Sequence, residues 1–221
     1  MNIYNDRVFY LIGGPNGSGK TTLARELIKD KPDVVFLNSD DIASAQKISA
    51  FNAGIVVMKQ SYDIVKNHTS FALETTLSGH FHNRLIKLAH EQEYKVVFLY
   101  VFLPSVEQNI ARVRQRVALG GHNVLEEDIR RRYEQSIRNV GNVCCKADQW
   151  EVYNNGGKKY KLVARGIKES ATDAENAEIL PLLKHDARYM SKYLLELANR
   201  GAFNARQAAL EAGVPIVYQG R

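Results

Sequence analysis

The eight residues Gly14-Pro15-Asn16-Gly17-Ser18-Gly19-Lys20-Thr21 constrain this chain more than any other stretch. They satisfy the spacing G-x-x-x-x-G-K-[S/T] and lie between an apolar run, Val8–Ile12, and a helical pattern, TTLARELIKD. The chemistry accounts for the spacing. Glycines let the backbone turn back so that successive N–H groups converge, and the next helix starts there with the positive end of its dipole. A polyphosphate is the ligand for such a nest. Lys20 is placed for the β- and γ-phosphates and the Thr21 hydroxyl for Mg²⁺, with Thr22 beside them. The expected cofactors are therefore ATP and Mg²⁺, held by residues 14–22.

Outward from this loop, short apolar runs alternate with longer helical patterns. Val34–Leu37 ends in Asn38-Ser39-Asp40, Phe71–Leu73 ends at Glu74, and Lys95–Leu103 stops at Pro104. Helical stretches around 52–66, 80–90 and 105–119 separate them. This alternation predicts βαβ units and a mostly parallel sheet, with Gly13, Asp40 and Glu74 at the carboxyl ends of three strands, where ligands of open α/β sheets bind. Gly120-Gly121 stops one helix, and Asn123 followed by Glu126 predicts a capping box opening the next. Trp150–Tyr153 and Lys159–Val163 read as a strand pair across Asn154–Gly157. The expected architecture is a three-layer α/β P-loop NTPase or kinase fold over 1–167. Polar residues 168–178 form a linker, and a C-terminal helical extension over 179–221, with a break at Gly201, packs on the same domain and ends in VPIVY.

Composition narrows the function classes. With 221 residues, 45% hydrophobic and 24% charged, the chain can bury an ordinary globular core. Nothing approaches the roughly 18 uninterrupted apolar residues of a membrane span, so no membrane association is expected. The start, MNIYNDRVFYLIGG, reads as a first strand and not a signal peptide. The two cysteines, Cys144 and Cys145, are adjacent, which suits neither a disulfide nor a zinc site and points to a reducing cytoplasm. The net charge of +6 concentrates its arginines between Arg112 and Arg138. One dense cluster suits a phosphorylated small molecule as well as a polyanion, or a solvated helix face paired with Glu126, Glu127 and Asp128; a nucleic-acid partner is not the expectation.

A P-loop fixes nucleotide binding but not the reaction. The longest apolar strand ends in proline where an ordinary ATPase carries an aspartate, and an N-K-x-D guanine-reading motif is absent. These absences weaken the ATPase and GTPase readings and leave room for a small-molecule kinase, with a nucleotide or nucleic-acid-end kinase, or an ATP-binding regulatory module with slow hydrolysis, as alternatives. A kinase needs a base for the acceptor hydroxyl and cations for the transferring phosphoryl group. Asp40 is the candidate base, with Asp41 as rival; either could instead cap the following helix. Glu74, Thr75 and Thr76 could hold an acceptor sugar or Mg²⁺, or equally end the strand and cap the next helix. Arg112 and Arg116 share a helix face, and Arg131 and Arg132 follow on the next helix, where a closing lid could supply them. Histidines 80, 82, 90, 122 and 185 are scattered and read as surface or loop residues, His122 falling in the lid loop.

The segments GGPNGSGKTTLA, FLNSDDIA, FALETTLSG, VFLPSVEQNIARVRQRVALGGHNV and EEDIRRRYEQSIRNV, in that order, resemble the zeta-toxin-like kinases, especially the short stand-alone bacterial group. The segments VYNN and AGVPIVY match more loosely. The resemblance implies ATP-dependent phosphorylation of a hydroxyl on a small molecule, a UDP-activated sugar such as UDP-N-acetylglucosamine in the toxins, and an antitoxin protein as partner. It places Asp40 on the family's catalytic aspartate, Lys20 and Thr21 on its phosphate and Mg²⁺ residues, and Glu74 and Thr76 on the substrate side. Arg116 falls beside a phosphate-clamping arginine. The chain departs from the pattern at His122, where a second arginine is expected and Arg131 or Arg132 would serve, and at Leu125, where proline is expected.

Overall fold

The computed structural model describes residues 7–175 and 186–211, the last ten of these by backbone only; His185 and the VPIVY segment lie outside the described residues. The elements are β1 (Val8–Gly13), α1 (Lys20–Ile28), β2 (Val35–Leu37), α2 (Ser39–Gln46), α3 (Ala50–Lys66), β3 (Phe71–Thr75), α4 (Phe81–Glu91), β4 (Lys95–Phe102), α5 (Val106–Ala118), α6 (Glu126–Lys146), β5 (Gln149–Asn154), β6 (Lys161–Ile167), β7 (Ser170–Ala174) and α7 (Tyr189–Glu211).

The seven strands form one sheet in the order β2-β3-β1-β4-β5-β6-β7. Neighbours from β2 to β5 pair in parallel, and β6 and β7 close the edge antiparallel. Alternation along β1 sends Phe9 and Leu11 to one face and Tyr10 and Ile12 to the other. The first face carries the larger core: Phe71, Phe98, Tyr100, Phe102 and Trp150 pack against α3, α4, α6 and α7. Ile12, Ala72 and Leu99 pack against Ala24 and Leu27 of α1 on the second face. The three-layer α/β architecture with a mostly parallel sheet is as the sequence predicts.

Parallel pairing aligns the carboxyl ends of β1, β2 and β3, Gly13 lying opposite Thr75 and Ile12 opposite Glu74. The chain leaves β1 for β2 on one side and β3 for β4 on the other. The loop after β1 therefore opens at the switch in strand order, where a crevice forms.

Four expectations are corrected. His82 is not a surface residue: it lies in the first turn of α4 and is 2% exposed. Residues 168–178 are not a plain linker: Ser170–Ala174 form β7, an edge strand reached from β6 across Lys168-Glu169. The strand is polar because it buries little besides Ala171. Gly201 does not break the C-terminal helix. It lies within α7, where a Cβ would sit 2.5 Å from the Pro104 carbonyl oxygen, so its small size serves packing. No capping box forms at Asn123. Helix α6 opens after Leu125 without a side-chain cap, and Glu126, Glu127 and Asp128 in its first turn offset the dipole instead.

Candidate nucleotide and phosphoryl-transfer cleft

The loop of residues 14–19 leaves β1 through Gly14, whose φ of +148° and lack of a side chain are both required. A Cβ there would lie 2.0 Å from the Val101 carbonyl oxygen. Gly19 ends the loop in the left-handed region, φ +100°, as the N-cap of α1, with no side chain closing the helix start. The first amides of α1 are thus directed at the cleft, as an anion site requires. Asn16 Oδ1 and Ser18 Oγ are buried and have no hydrogen-bond partner among the described residues.

Lys20 is 6% exposed. Its Nζ donates to the Pro15 carbonyl at 2.9 Å and lies 3.7 Å from Glu74 Oε1. Burial lowers its pKa; Glu74 and then Asp40 oppose the shift, and Arg116 adds to it. The second oxygen of Glu74 accepts from Asn38 Nδ2 at 2.7 Å. The same Asn38 caps α2, its Oδ1 taking the amides of Asp40 at 2.7 Å and Asp41 at 3.1 Å. One asparagine therefore joins the ends of β2 and β3 and links the start of α2 to the P-loop lysine.

Because Asn38 is the cap, neither aspartate is consumed in that role. Asp41 turns outward and pairs with Arg25 at 3.3 Å, whereas Asp40 is exposed and lines the cleft. After Glu74, the backbone of Leu77 is held in the left-handed region, φ +58°, with its side chain fully buried and its carbonyl accepting from Asn139 Nδ2 at 2.8 Å. A buried leucine in that conformation is strained by about 1–3 kcal/mol. The turn faces Thr76 and Ser78 into the cleft, their hydroxyls 2.8 Å apart, while the Thr75 hydroxyl accepts from the Leu77 amide.

The cleft has a volume of about 930 Å³. It runs from the P-loop between the α5–α6 loop and a wall of α3 that includes Phe51, Val57 and Met58. Lys20, Arg112, Arg116, Arg131 and Arg132 line it against the carboxylates of Asp40, Glu74 and Asp128, an excess of positive charge. The arginines differ in engagement. Arg116 donates to the His122 carbonyl at 2.8 Å, and its buried Nε has no partner among the described residues. Arg131 and Arg132 share Asp128, at 2.5 and 3.8 Å. Arg112 donates to the Asn155 carbonyl at 2.6 Å. Arg114 and Arg130 pair with Glu126 on the exposed flank, the solvated role. Cys144 is a buried thiol whose pKa burial pushes well up, an inert packing residue.

Asn38, Ser78, Phe51, Asn109, Asn155 and Tyr160 emerge only from the structure. Asn38 carried the one usable signal, an N-capping residue ahead of a helix. The others contact the cleft or its loop through the fold.

These features define an α/β protein of P-loop, kinase-like fold with a nucleotide-binding loop at the sheet's switch point. Residues 9–137 match a family model described as AAA domain, and the chain belongs to that family. An uncharacterized protein of Haemophilus influenzae is 34% identical over 134 residues, 58% of this chain and 93% of that one. The fold is similar to a chain of the AvrRxo1-ORF1:AvrRxo1-ORF2 complex with sulphate ions (TM-score 0.65, 14% identity, 81% of this chain). It is likewise similar to that complex with ATP (TM-score 0.64, 15% identity, 81% of this chain). In both, the alignment spans 64% of the other chain's length. The PezAT chromosomal toxin–antitoxin system of Streptococcus pneumoniae matches at TM-score 0.56 and 15% identity, over 90% of this chain and 87% of that one. Among the described residues, no helix is long and apolar enough to cross a membrane.

Proposed function

We propose that this chain is an ATP-dependent small-molecule kinase of zeta-toxin type, transferring the γ-phosphate to a hydroxyl of a UDP-activated sugar or a related metabolite. The observation that carries this reading is the division of one cleft: a P-loop with buried Lys20 at one end, exposed Asp40 facing the same space, and an arginine-lined flank between α5 and α6. A similar fold solved with ATP supports the donor. The ordered sequence segments shared with the zeta-toxin-like kinases support the acceptor class.

In this reading residues 14–22 hold the triphosphate and Lys20 exchanges its contact with the Pro15 carbonyl for phosphate oxygens. Asp40 takes the proton of the acceptor hydroxyl as its oxygen bonds to the γ-phosphorus. The bond from that phosphorus to the β–γ bridging oxygen breaks, and ADP leaves. Arg116, with Arg131 or Arg132, neutralises the transferring group. Arg112 supports from the side of the Asn155 turn. Glu74, Thr75 and Thr76 stand at the acceptor end. The Thr21 hydroxyl and the Asp40 carboxylate are an all-oxygen donor pair, which fits Mg²⁺, an ion that takes one or two protein ligands and fills its shell with water and phosphate. Mg²⁺ arriving with ATP would supply charge neutralisation between the β- and γ-phosphates.

The likeness to a toxin–antitoxin structure supports a protein partner as well; co-purification with the product of an adjacent gene tests it. The kinase reading is tested by incubating the pure protein with γ-labelled ATP and either UDP-N-acetylglucosamine or a metabolite pool. A labelled product lost in Asp40→Ala and kept in Asp41→Ala is expected. ATP binding without transfer to any acceptor would overturn the kinase reading in favour of a nucleotide-binding module.

A further inference from the structure

Three carbonyls of the P-loop are held from outside by side chains remote in sequence. Asn109 Nδ2, on α5 and fully buried, donates to Asn16 O at 2.6 Å. Asn155 Nδ2, just past β5, donates to Ser18 O at 2.8 Å. Tyr160 Oη, ahead of β6, donates to Gly19 O at 2.9 Å. The approach is close enough that a Cβ on Gly19 would meet Asn155 Nδ2 at 2.4 Å and Tyr160 Oη at 3.0 Å. Asn155 is itself fixed: its amide donates to Phe102 O at 2.9 Å, extending the β4–β5 ladder, and its carbonyl accepts from Arg112 at 2.6 Å.

A trans peptide plane points its carbonyl and the following N–H in opposite directions. The protein has no cis peptide among the described residues, so fixing Asn16 O, Ser18 O and Gly19 O outward turns the amides of Gly17, Gly19 and Lys20 inward. Those three residues line the cleft, and none of the three amides donates to an acceptor among the described residues. Glycine-rich loops are otherwise free to flip their peptide planes, because glycine has access to both halves of φ space.

We propose that Asn109, Asn155 and Tyr160 are positioning residues that set the peptide planes of the phosphate cradle and thereby determine its affinity for polyphosphate. The inference rests on the nucleotide-binding part of the function proposed above and on nothing about the acceptor. It also assigns a purpose to the β5–β6 turn, which closes against the loop on the side away from Glu74. Arg112 joins that turn to α5, so the element carrying the cleft arginines and the turn holding the loop are mechanically continuous.

The test measures binding by calorimetry with two probes, ATP and inorganic tripolyphosphate, the second carrying no base or ribose. Tyr160→Phe keeps the ring and removes only the hydroxyl; Asn155→Ala and Asn109→Leu remove the amide donors. Each lost hydrogen bond is expected to weaken both probes by about fivefold, and the Tyr160→Phe, Asn155→Ala pair by more than tenfold. Tyr160→Phe guards against misfolding in the others, and thermal melting is recorded alongside. A purely structural role would lower the melting temperature and leave the affinity of the folded protein unchanged. Wild-type affinity for tripolyphosphate in both Tyr160→Phe and the Tyr160→Phe, Asn155→Ala pair overturns the proposal. Weakening for ATP alone also overturns it, since the contact would then be to the nucleoside. Failure of the wild type to bind either probe would bring down the nucleotide reading itself, and the clamp with it.

Discussion

Glu74→Gln isolates the electrostatics on which the cleft depends. Glutamine keeps the length of the side chain and an acceptor for Asn38 Nδ2, and removes only the charge. The side chains of Lys20 and Glu74 are 7% and 13% exposed, so solvent screens the pair little. Removing one member of a buried pair costs about 3–5 kcal/mol. The Pro15 carbonyl still accepts from Nζ, which sets the loss at the lower end, about 3 kcal/mol. In a domain of this size each kcal/mol moves Tm by about 2–4 °C, so a fall of roughly 6–12 °C is expected at neutral pH. The sign of the pH dependence follows from Lys20. Burial holds its pKa below the ordinary 10.5 and Glu74 pulls it back up, so the substitution lowers it further. A lysine with a depressed folded-state pKa binds fewer protons folded than unfolded. Its contribution to stability is complete above 10.5 and is lost as pH falls through the folded value. The Tm gap between variant and wild type should therefore narrow as pH rises from 7 toward 10. Calorimetric melting of wild type, Glu74→Gln, Lys20→Met and the double variant checks this, and Lys20→Met should restore most of the stability that Glu74→Gln loses. A Glu74→Gln protein within 2 °C (about 1 kcal/mol or less) of wild type at pH 7, or a gap indifferent to pH, would refute the reasoning.

Asp40→Asn should lower labelled phosphoryl transfer by about 10²–10⁴-fold, measured by single-turnover kinetics. Asp41→Asn should leave transfer intact and cost under about 1 kcal/mol, because its partner Arg25 and Asp41 itself are both more than half exposed. Arg116→Ala should weaken ATP or acceptor binding by about 10–100-fold, whereas Arg114→Ala, on the exposed flank, should leave both unchanged in the same titrations. Burial holds the His82 pKa down at about 4, against an ordinary 6.5. The folded state therefore resists protonation, and stability is lost as pH falls from about 6.5 to about 4. Urea titrations across that range should show a loss of about 3 kcal/mol, much reduced in His82→Gln.

The loop, the parallel strands and the helices between them were legible because their signals are local. An apolar run that ends in Gly13, in Asn38 or in Pro104 marks its own boundary. β7 was hidden for the opposite reason: an edge strand of sequence SATDA buries one face only, chiefly Ala171, and its hydrogen-bond partner rather than its hydrophobicity makes it a strand. Gly201 misled because glycine's lack of a side chain serves two ends, breaking a helix or admitting a neighbour's backbone, and only Pro104 decides between them. At the site, Lys20, Asp40 and Glu74 could be placed by strand ends. The contacts of Asn109, Asn155 and Tyr160 with the loop span 93, 137 and 141 residues, and no spacing rule reaches that far.

The two ends of the cleft are built to different standards, and this bears on how such a fold can be reused. At the donor end each critical group is buried or held by a buried partner: Lys20, Asn16, Ser18, Asn38 and Asn109 are each less than a tenth exposed. A change there disturbs folding along with binding. The end proposed for the acceptor is walled by Phe51, 78% exposed, and Leu125, 60% exposed, with Arg131 on the surface of α6. Those side chains contribute little to the core, so substitution alters what the cleft admits at small cost in stability. Under the proposed kinase reading, specificity for the acceptor is therefore to be sought in the exposed faces of α3 and of the α5–α6 loop. In that reading the P-loop determines only that a phosphate is available to transfer.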